Sequence, residues 1–192
     1  MNPTQRSCTS VVLVGLSGSG KSTVGRYLAA KLRYPLYDTD AIIESESGRT
    51  AADIFASEGE TAFRMRESAV LLRVLHQAPC IIATGGGIVT VPTNCDMIRR
   101  HAFVVWLDAT SGAIVSRISN HRQARPLLQG DNPLERLETM RAKRASLYRA
   151  IADLHMLTDG IHASAVAARI AMLLPDNFPH PTNEASDDAE SP

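Results

Sequence analysis

The run GLSGSGKST, Gly15 to Thr23, follows the apolar stretch VVLV and leads into VGRYLAAKLRYP. From Gly15 to Ser22 it fits the pattern G-x-x-x-x-G-K-[ST], between an expected strand and an expected helix, which is the context that pattern requires. Gly15, Gly18 and Gly20 allow a tight turn with N–H groups aimed inward at phosphate oxygens. The helix that follows adds the positive end of its dipole. Lys21 is placed to reach the β- and γ-phosphates, and the Ser22 hydroxyl to ligate Mg²⁺. Ser19 and Thr23 flank them as further candidate nucleotide contacts. A glycine-rich turn that merely joined strand to helix would not need the Lys-Ser pair.

Around this cradle, short apolar runs alternate with longer stretches of helical period. Strands are expected at 11–14, 35–38, 80–83, 102–107 and 154–158, and helices at 21–33, 58–77, 132–152 and 162–174. In the third helix Leu134, Leu137, Met140, Leu147 and Ile151 are expected to form the apolar stripe, with Pro133 in the first turn. Such alternation implies an α/β fold with a parallel sheet covered on both faces. One domain is expected over 11–174, with excursions near 39–67 and 120–132. A flexible lead (1–10) and a disordered tail (175–192) would flank it.

Composition removes several alternatives. The formal net charge is zero, so no bulk attraction to nucleic acid or anionic membrane is expected. No apolar run approaches the roughly 18 residues of a membrane span. The start, MNPTQRSCTS, lacks the apolar core of a secretory signal. Cys8, Cys80 and Cys95 are odd in number and lack metal-type spacing, which fits reduced thiols in the cytoplasm. The N-K-x-D base-reading motif of GTPases is absent, and a compact chain with no second domain to drive favours a kinase over a motor.

Five segments are candidates to choose the phosphate acceptor. YDTDAIIE places Asp38 and Asp40 at the carboxyl edge of the second strand, where doubly wound sheets bind ligands. Asp38 can hold Mg²⁺ through water and Asp40 can accept a hydrogen bond from an attacking hydroxyl; a helix cap would explain one of the two. Arg64 lies four residues after Glu60, which also fits a plain surface ion pair. Gly85, Gly86 and Gly87 directly follow a buried strand, with Thr84 beside them, and permit close approach of backbone to a ligand. NHRQARPLLQGDNP carries Arg122 and Arg125 and suits either a lid or an exposed loop. Arg144, in MRAKRASLY, suits a solvated helix face.

Together, GLSGSGKST, DTDAIIE, IFASEGETAFR, TGGGIV, RPLL and AKRASLYR, in this order between Val11 and Leu174, resemble the shikimate kinase family. The resemblance implies a P-loop fold with a five-stranded parallel sheet in the order 2-3-1-4-5. It also implies transfer of the ATP γ-phosphate to the 3-hydroxyl of shikimate, with Mg²⁺, in the pathway to chorismate and aromatic amino acids. By position, Lys21 would bind phosphate, Ser22 would ligate Mg²⁺ and Asp38 would hold it through water. Asp40 would engage the acceptor hydroxyls and serve as base. Arg64 and Arg144 would grip the shikimate carboxylate, with Gly85, Gly86 and Gly87 lining the pocket. Arg125 would reach the γ-phosphate from the lid, and Arg117 would face adenine. A monomer without nucleic-acid or membrane partners is expected. Other small-molecule kinases, such as a gluconate or nucleoside-monophosphate kinase, are the nearest enzyme alternatives; a nucleotide-holding module without turnover would be expected to lose Lys21, Asp40 or the arginines.

Overall fold

The structure is a computed structural model that describes residues 8–119 and 132–179. Five strands form one sheet: β1 (Ser10–Val14), β2 (Leu36–Asp38), β3 (Ile81–Ala83), β4 (Ala102–Asp108) and β5 (Leu154–Leu157). Their order is β2-β3-β1-β4-β5 and every pairing is parallel, in agreement with the expected topology. Among the described residues seven α-helices connect or cover them: α1 (Lys21–Leu32), α2 (Thr39–Ser47), α3 (Ala51–Leu75), α4 (Pro92–His101), α5 (Ser111–Ser119), α6 (Pro133–Ile151) and α7 (Ala163–Met172).

Both sheet faces are buried, so the central strands read as continuous apolar runs rather than alternating ones. Val12, Val14, Val104 and Trp106 face one core with Ile54, Leu71, Leu137 and Tyr148 from α3 and α6. Val11, Leu13, Val105 and Leu107 face the other, with Leu28 of α1 and Val166 and Ile170 of α7. Full burial of each such aliphatic side chain is worth about 1.5–3 kcal/mol. Because β1 lies between β3 and β4, its carboxyl end is the point where the chain winds to opposite sides. The glycine-rich run begins there, at the crevice such a sheet offers to a ligand.

Local chemistry sets the helix ends. Asp38 caps α2, its Oδ1 accepting from the N–H groups of Asp40 (3.2 Å) and Ala41 (3.3 Å). Thr50 and Asp53 form a reciprocal capping box at the start of α3. That helix is interrupted at Gly59 (φ 82°, ψ 172°), so the segment from Glu60 onward restarts its register.

Three expectations change. On α6, Leu134 and Leu147 are 49% and 37% exposed, and the buried positions are Leu137, Tyr148 and Ile151. Leu147 stands about 100° around the axis from Tyr148, which puts it off the core face. Cys8, expected in a flexible lead, is buried. The tail boundary at 174 falls short, because Phe178 is buried against Tyr34, whose hydroxyl donates to the carbonyl of Pro179. Among the described residues no helix is long and apolar enough to cross a membrane.

Candidate active site

The carboxyl edge of the sheet gathers the expected residues from five segments. At Gly15 (φ 141°) an added Cβ would overlap the carbonyl oxygen of Leu107, so neither the backbone angle nor the packing admits a side chain. Lys21, first residue of α1, is nearly buried, and its Nζ donates to the carbonyls of Gly15 (2.9 Å) and Leu16 (2.8 Å). These bonds hold the ammonium across the loop, where an incoming phosphate oxygen can compete for it. Ser22 and Thr23 occupy the exposed face of the same first turn. Ser19 differs: it is fully buried, its N–H donates to Leu16 O (3.1 Å), and its Oγ has no hydrogen-bond partner among the described residues. It shapes the loop from inside.

Asp38 divides its two oxygens between the helix cap and the cradle. While Oδ1 caps α2, Oδ2 accepts from Ser22 Oγ at 2.5 Å. A hydroxyl and a carboxylate are thereby held together beside the phosphate cradle, and both are hard oxygen donors of the kind Mg²⁺ takes alongside phosphate and water. Asp40, two residues on, has a buried Oδ1 with no hydrogen-bond partner among the described residues. Burial pushes its carboxyl above the usual range and the charge of Asp38 adds to this, while Lys21 opposes it.

Arg64 is not a surface ion pair. Its pairing with Glu60 exists (3.1 Å), but the side chain is only 12% exposed and its Nη1 donates to Glu67 Oε2 at 2.6 Å. Its guanidinium carbon also lies 5.5 Å from the ring centroids of both Phe55 and Phe63. Glu67 is fully buried, and its Oε1 has no hydrogen-bond partner among the described residues. Burial raises its carboxyl pKa, and Arg64 opposes the rise. The sequence contained a signal for Glu67: it sits on the same stripe as the buried Phe63, Val70, Leu71 and Val74. A carboxylate on an apolar stripe needs a partner.

The glycine run explains how these groups come so close to backbone. A Cβ on Gly85 would lie 2.6 Å from Asp40 Oδ1 and overlap Glu67 Oε1; one on Gly87 would overlap the Arg64 guanidinium. Gly86 packs on the cradle itself, with Ser17 N 3.0 Å from its would-be Cβ. Its carbonyl accepts from Arg144 Nη1 (3.1 Å) and from Tyr148 Oη (2.5 Å). Burial pushes the Tyr148 phenol up to about 12, so it stays a donor. Arg144 is therefore half-buried on the inward side of α6, not on a solvated face. Thr84, by contrast, spends its hydroxyl on Leu13 O at 3.0 Å.

Arg117 lies on the opposite side of the cradle, donating to Ser19 O (3.4 Å) and to Thr158 Oγ1 (3.0 Å) and O (2.7 Å). Arg122, Arg125 and nearly all of the expected lid at 120–132 lie outside the described residues.

A phosphate cradle at the switch point of a parallel sheet, beside a cluster of Asp40, Glu67, Arg64 and Arg144, defines a P-loop kinase for a small acceptor. The shikimate kinase family model matches residues 17–174. A shikimate kinase of Symbiobacterium thermophilum is 45% identical over 164 residues, covering 84% of this chain and 93% of that one. This chain belongs to the shikimate kinase family. A solved shikimate kinase from Acinetobacter baumannii in complex with shikimate superposes with a TM-score of 0.82 at 35% identity, covering 89% of this chain and 96% of that one. A gluconokinase from Sinorhizobium meliloti shares only the fold, at 20% identity and a TM-score of 0.50 over 88% of this chain and 96% of that one.

Proposed function

We propose that this chain transfers the γ-phosphate of ATP to the 3-hydroxyl of shikimate, giving shikimate 3-phosphate and ADP on the route to chorismate and aromatic amino acids. The observation that carries this reading is the meeting of Asp40, Arg64 and Arg144 on one glycine strap that packs against the phosphate cradle. A small hydroxy acid needs both a carboxylate to orient its hydroxyl and planar guanidinium groups for its own carboxylate.

In this reading Arg64 and Arg144 hold the acceptor carboxylate, and Gly85, Gly86 and Gly87 form the wall against which it rests. Glu67 and the rings of Phe55 and Phe63 keep the Arg64 fork in place. Asp40 accepts the proton of the acceptor hydroxyl as its oxygen bonds to the γ-phosphorus and the bond to the ADP oxygen breaks. The transition state of such a transfer is loose, so alignment and positive charge matter more than a strong base. Lys21 supplies charge at the cradle; Arg125 is assigned the γ-phosphate from the lid, and Arg117 the adenine side. The oxygens of Ser22 and Asp38 would hold Mg²⁺, directly and through water respectively. When bound, that ion adds charge neutralisation between the phosphates. The reading further takes residues 11–174, extended to Phe178, as one catalytic domain acting as a cytoplasmic monomer. The Cys80 and Cys95 thiols, each donating to a backbone carbonyl, fit the reduced state that compartment implies.

A coupled ADP-release assay with Mg-ATP tests the acceptor, using shikimate, quinate, gluconate and nucleoside monophosphates in parallel. Preference for shikimate is expected; faster turnover of gluconate or a nucleotide would overturn the assignment.

A finer test separates the clamp from generic charge. Alanine at Arg64 would strand the buried Glu67 carboxylate, so lysine is the informative replacement. Arg64→Lys and Arg144→Lys are each expected to lower kcat/KM for shikimate by about ten- to a hundredfold, the size of a lost charged hydrogen bond, with ATP affinity nearly unchanged. The parent should prefer shikimate to its carboxamide, and both variants should lose much of that preference. An acid-to-amide ratio unaltered in both rejects the clamp.

A further inference from the structure

Thr158 follows β5 directly and is a buried residue, 3% exposed, yet it belongs to none of the segments assigned to ATP or acceptor. Its hydroxyl is a junction of three elements. Oγ1 lies 3.3 Å from Ser19 O in the cradle and 3.1 Å from Asp108 O at the end of β4. Arg117 of α5 donates to Oγ1 at 3.0 Å, and its other terminal nitrogen donates to the Thr158 carbonyl at 2.7 Å. The Thr158 N–H already donates to Asp108 O at 2.9 Å. A hydroxyl has one proton to give. Asp108 O is served by the backbone at 2.9 Å and Arg117 fills an Oγ1 lone pair, whereas Ser19 O otherwise receives only the long 3.4 Å bond from Arg117 Nη1, so that proton is best used on Ser19 O.

The consequence lies in the cradle. The Ser19–Gly20 peptide is trans, so its C=O and the Gly20 N–H point in opposite directions from one rigid plane. Gly20 is the N-cap of α1 at φ 101°, a conformation with wide freedom for glycine. Nothing in the Gly20 side chain can hold that plane, and the buried Ser19 Oγ has no hydrogen-bond partner among the described residues with which to do so. Fixing the carbonyl from behind therefore aims the N–H in front.

We propose that Thr158 is a positioning residue for the nucleotide: by holding the Ser19 carbonyl it sets the peptide plane whose Gly20 N–H faces the phosphates. The inference rests on the kinase reading of the cradle, and it adds to that reading a determinant distant in sequence that touches no substrate. Thr158→Val keeps the shape and removes the proton; Thr158→Ser keeps the proton and removes a methyl; Thr158→Ala provides a second hydroxyl-free form.

The experiment measures KM for ATP and for shikimate in all three variants, and Mg-ADP affinity by calorimetry. Loss of a neutral hydrogen bond leads us to expect weaker ATP and ADP binding by about three- to tenfold in the valine and alanine forms. KM for shikimate should stay within a factor of about two, and the serine form should match the parent. Equal changes in both substrates, no change in ADP affinity in whichever hydroxyl-free form folds, or a serine form as weak as the valine form would each overturn the proposal. The calorimetric arm does not depend on the acceptor, so a failure of the shikimate assignment would show separately, as a parent that binds Mg-ADP and does not turn over shikimate.

Discussion

Lys21→Ala is expected to lower kcat by about 10²–10³-fold, the usual size of losing one preorganised charge at a transition state. In the free protein the ammonium is held by two backbone carbonyls of the loop, at 2.9 and 2.8 Å. Neutral carbonyls bind it less strongly than phosphate oxygens do, and least strongly when charge accumulates on those oxygens during transfer. The removed interaction thus belongs mainly to the transition state, and kcat and kcat/KM should fall together. Folding should survive, because neither core depends on Lys21. A charged hydrogen bond nets about 1.5–3 kcal/mol, and each kcal/mol moves the unfolding midpoint of a chain this size by about 2–4 °C. Kinetics paired with a thermal melt followed by circular dichroism checks both halves. A kcat within a few-fold of the parent, in a folded variant, removes Lys21 from the chemistry.

The cradle was legible because its information is local: glycines, lysine and serine at fixed spacing between a strand and a helix need no distant partner to be recognised. The alternation of strands and helices gave the parallel sheet, but the order 2-3-1-4-5 came from the family resemblance, since periodicity does not say which strands are neighbours. Helix faces were harder. On α6, Leu137 and Ile151 of the expected stripe are buried, and Arg144, seven residues from each, shares their face; its charge, not the helix phase, suggests a solvated position, and its bond to Gly86 O is a contact the local sequence does not show. On α3 the exposed i,i+4 pairing of Arg64 with Glu60 concealed its shorter bond to buried Glu67, three residues further along the same register. Thr158 was invisible for a different reason. Its hydroxyl meets a carbonyl 139 positions earlier in the chain, and nothing in the local sequence LHMLTDG announces it.

Asp40→Asn should divide rate from binding and from folding in one variant. If Asp40 receives the proton of the acceptor hydroxyl, asparagine keeps the volume and removes the carboxylate that takes it. A loss of general-base assistance is expected to lower kcat by about 10²–10⁴-fold, with ATP affinity nearly unchanged. The pH dependence adds a second readout. Burial, and then the neighbouring charge of Asp38, raise the Asp40 carboxyl above its ordinary 3.8, while Lys21 opposes them. Only the carboxylate can accept a proton, so parent kcat should fall on an acidic limb displaced upward from an ordinary aspartate, and the asparagine variant should lack that limb. The stability effect has the opposite sign. A carboxyl whose pKa is raised on folding destabilises the native state; the penalty begins as pH rises through the unfolded value and is complete above the folded one. At neutral pH the neutral asparagine escapes it, so the variant should melt no lower than the parent while turning over far more slowly. Turnover equal to the parent, or a defect confined to ATP binding, would place the base elsewhere. A large drop in melting temperature would show instead that Asp40 is held by native contacts that outweigh its burial.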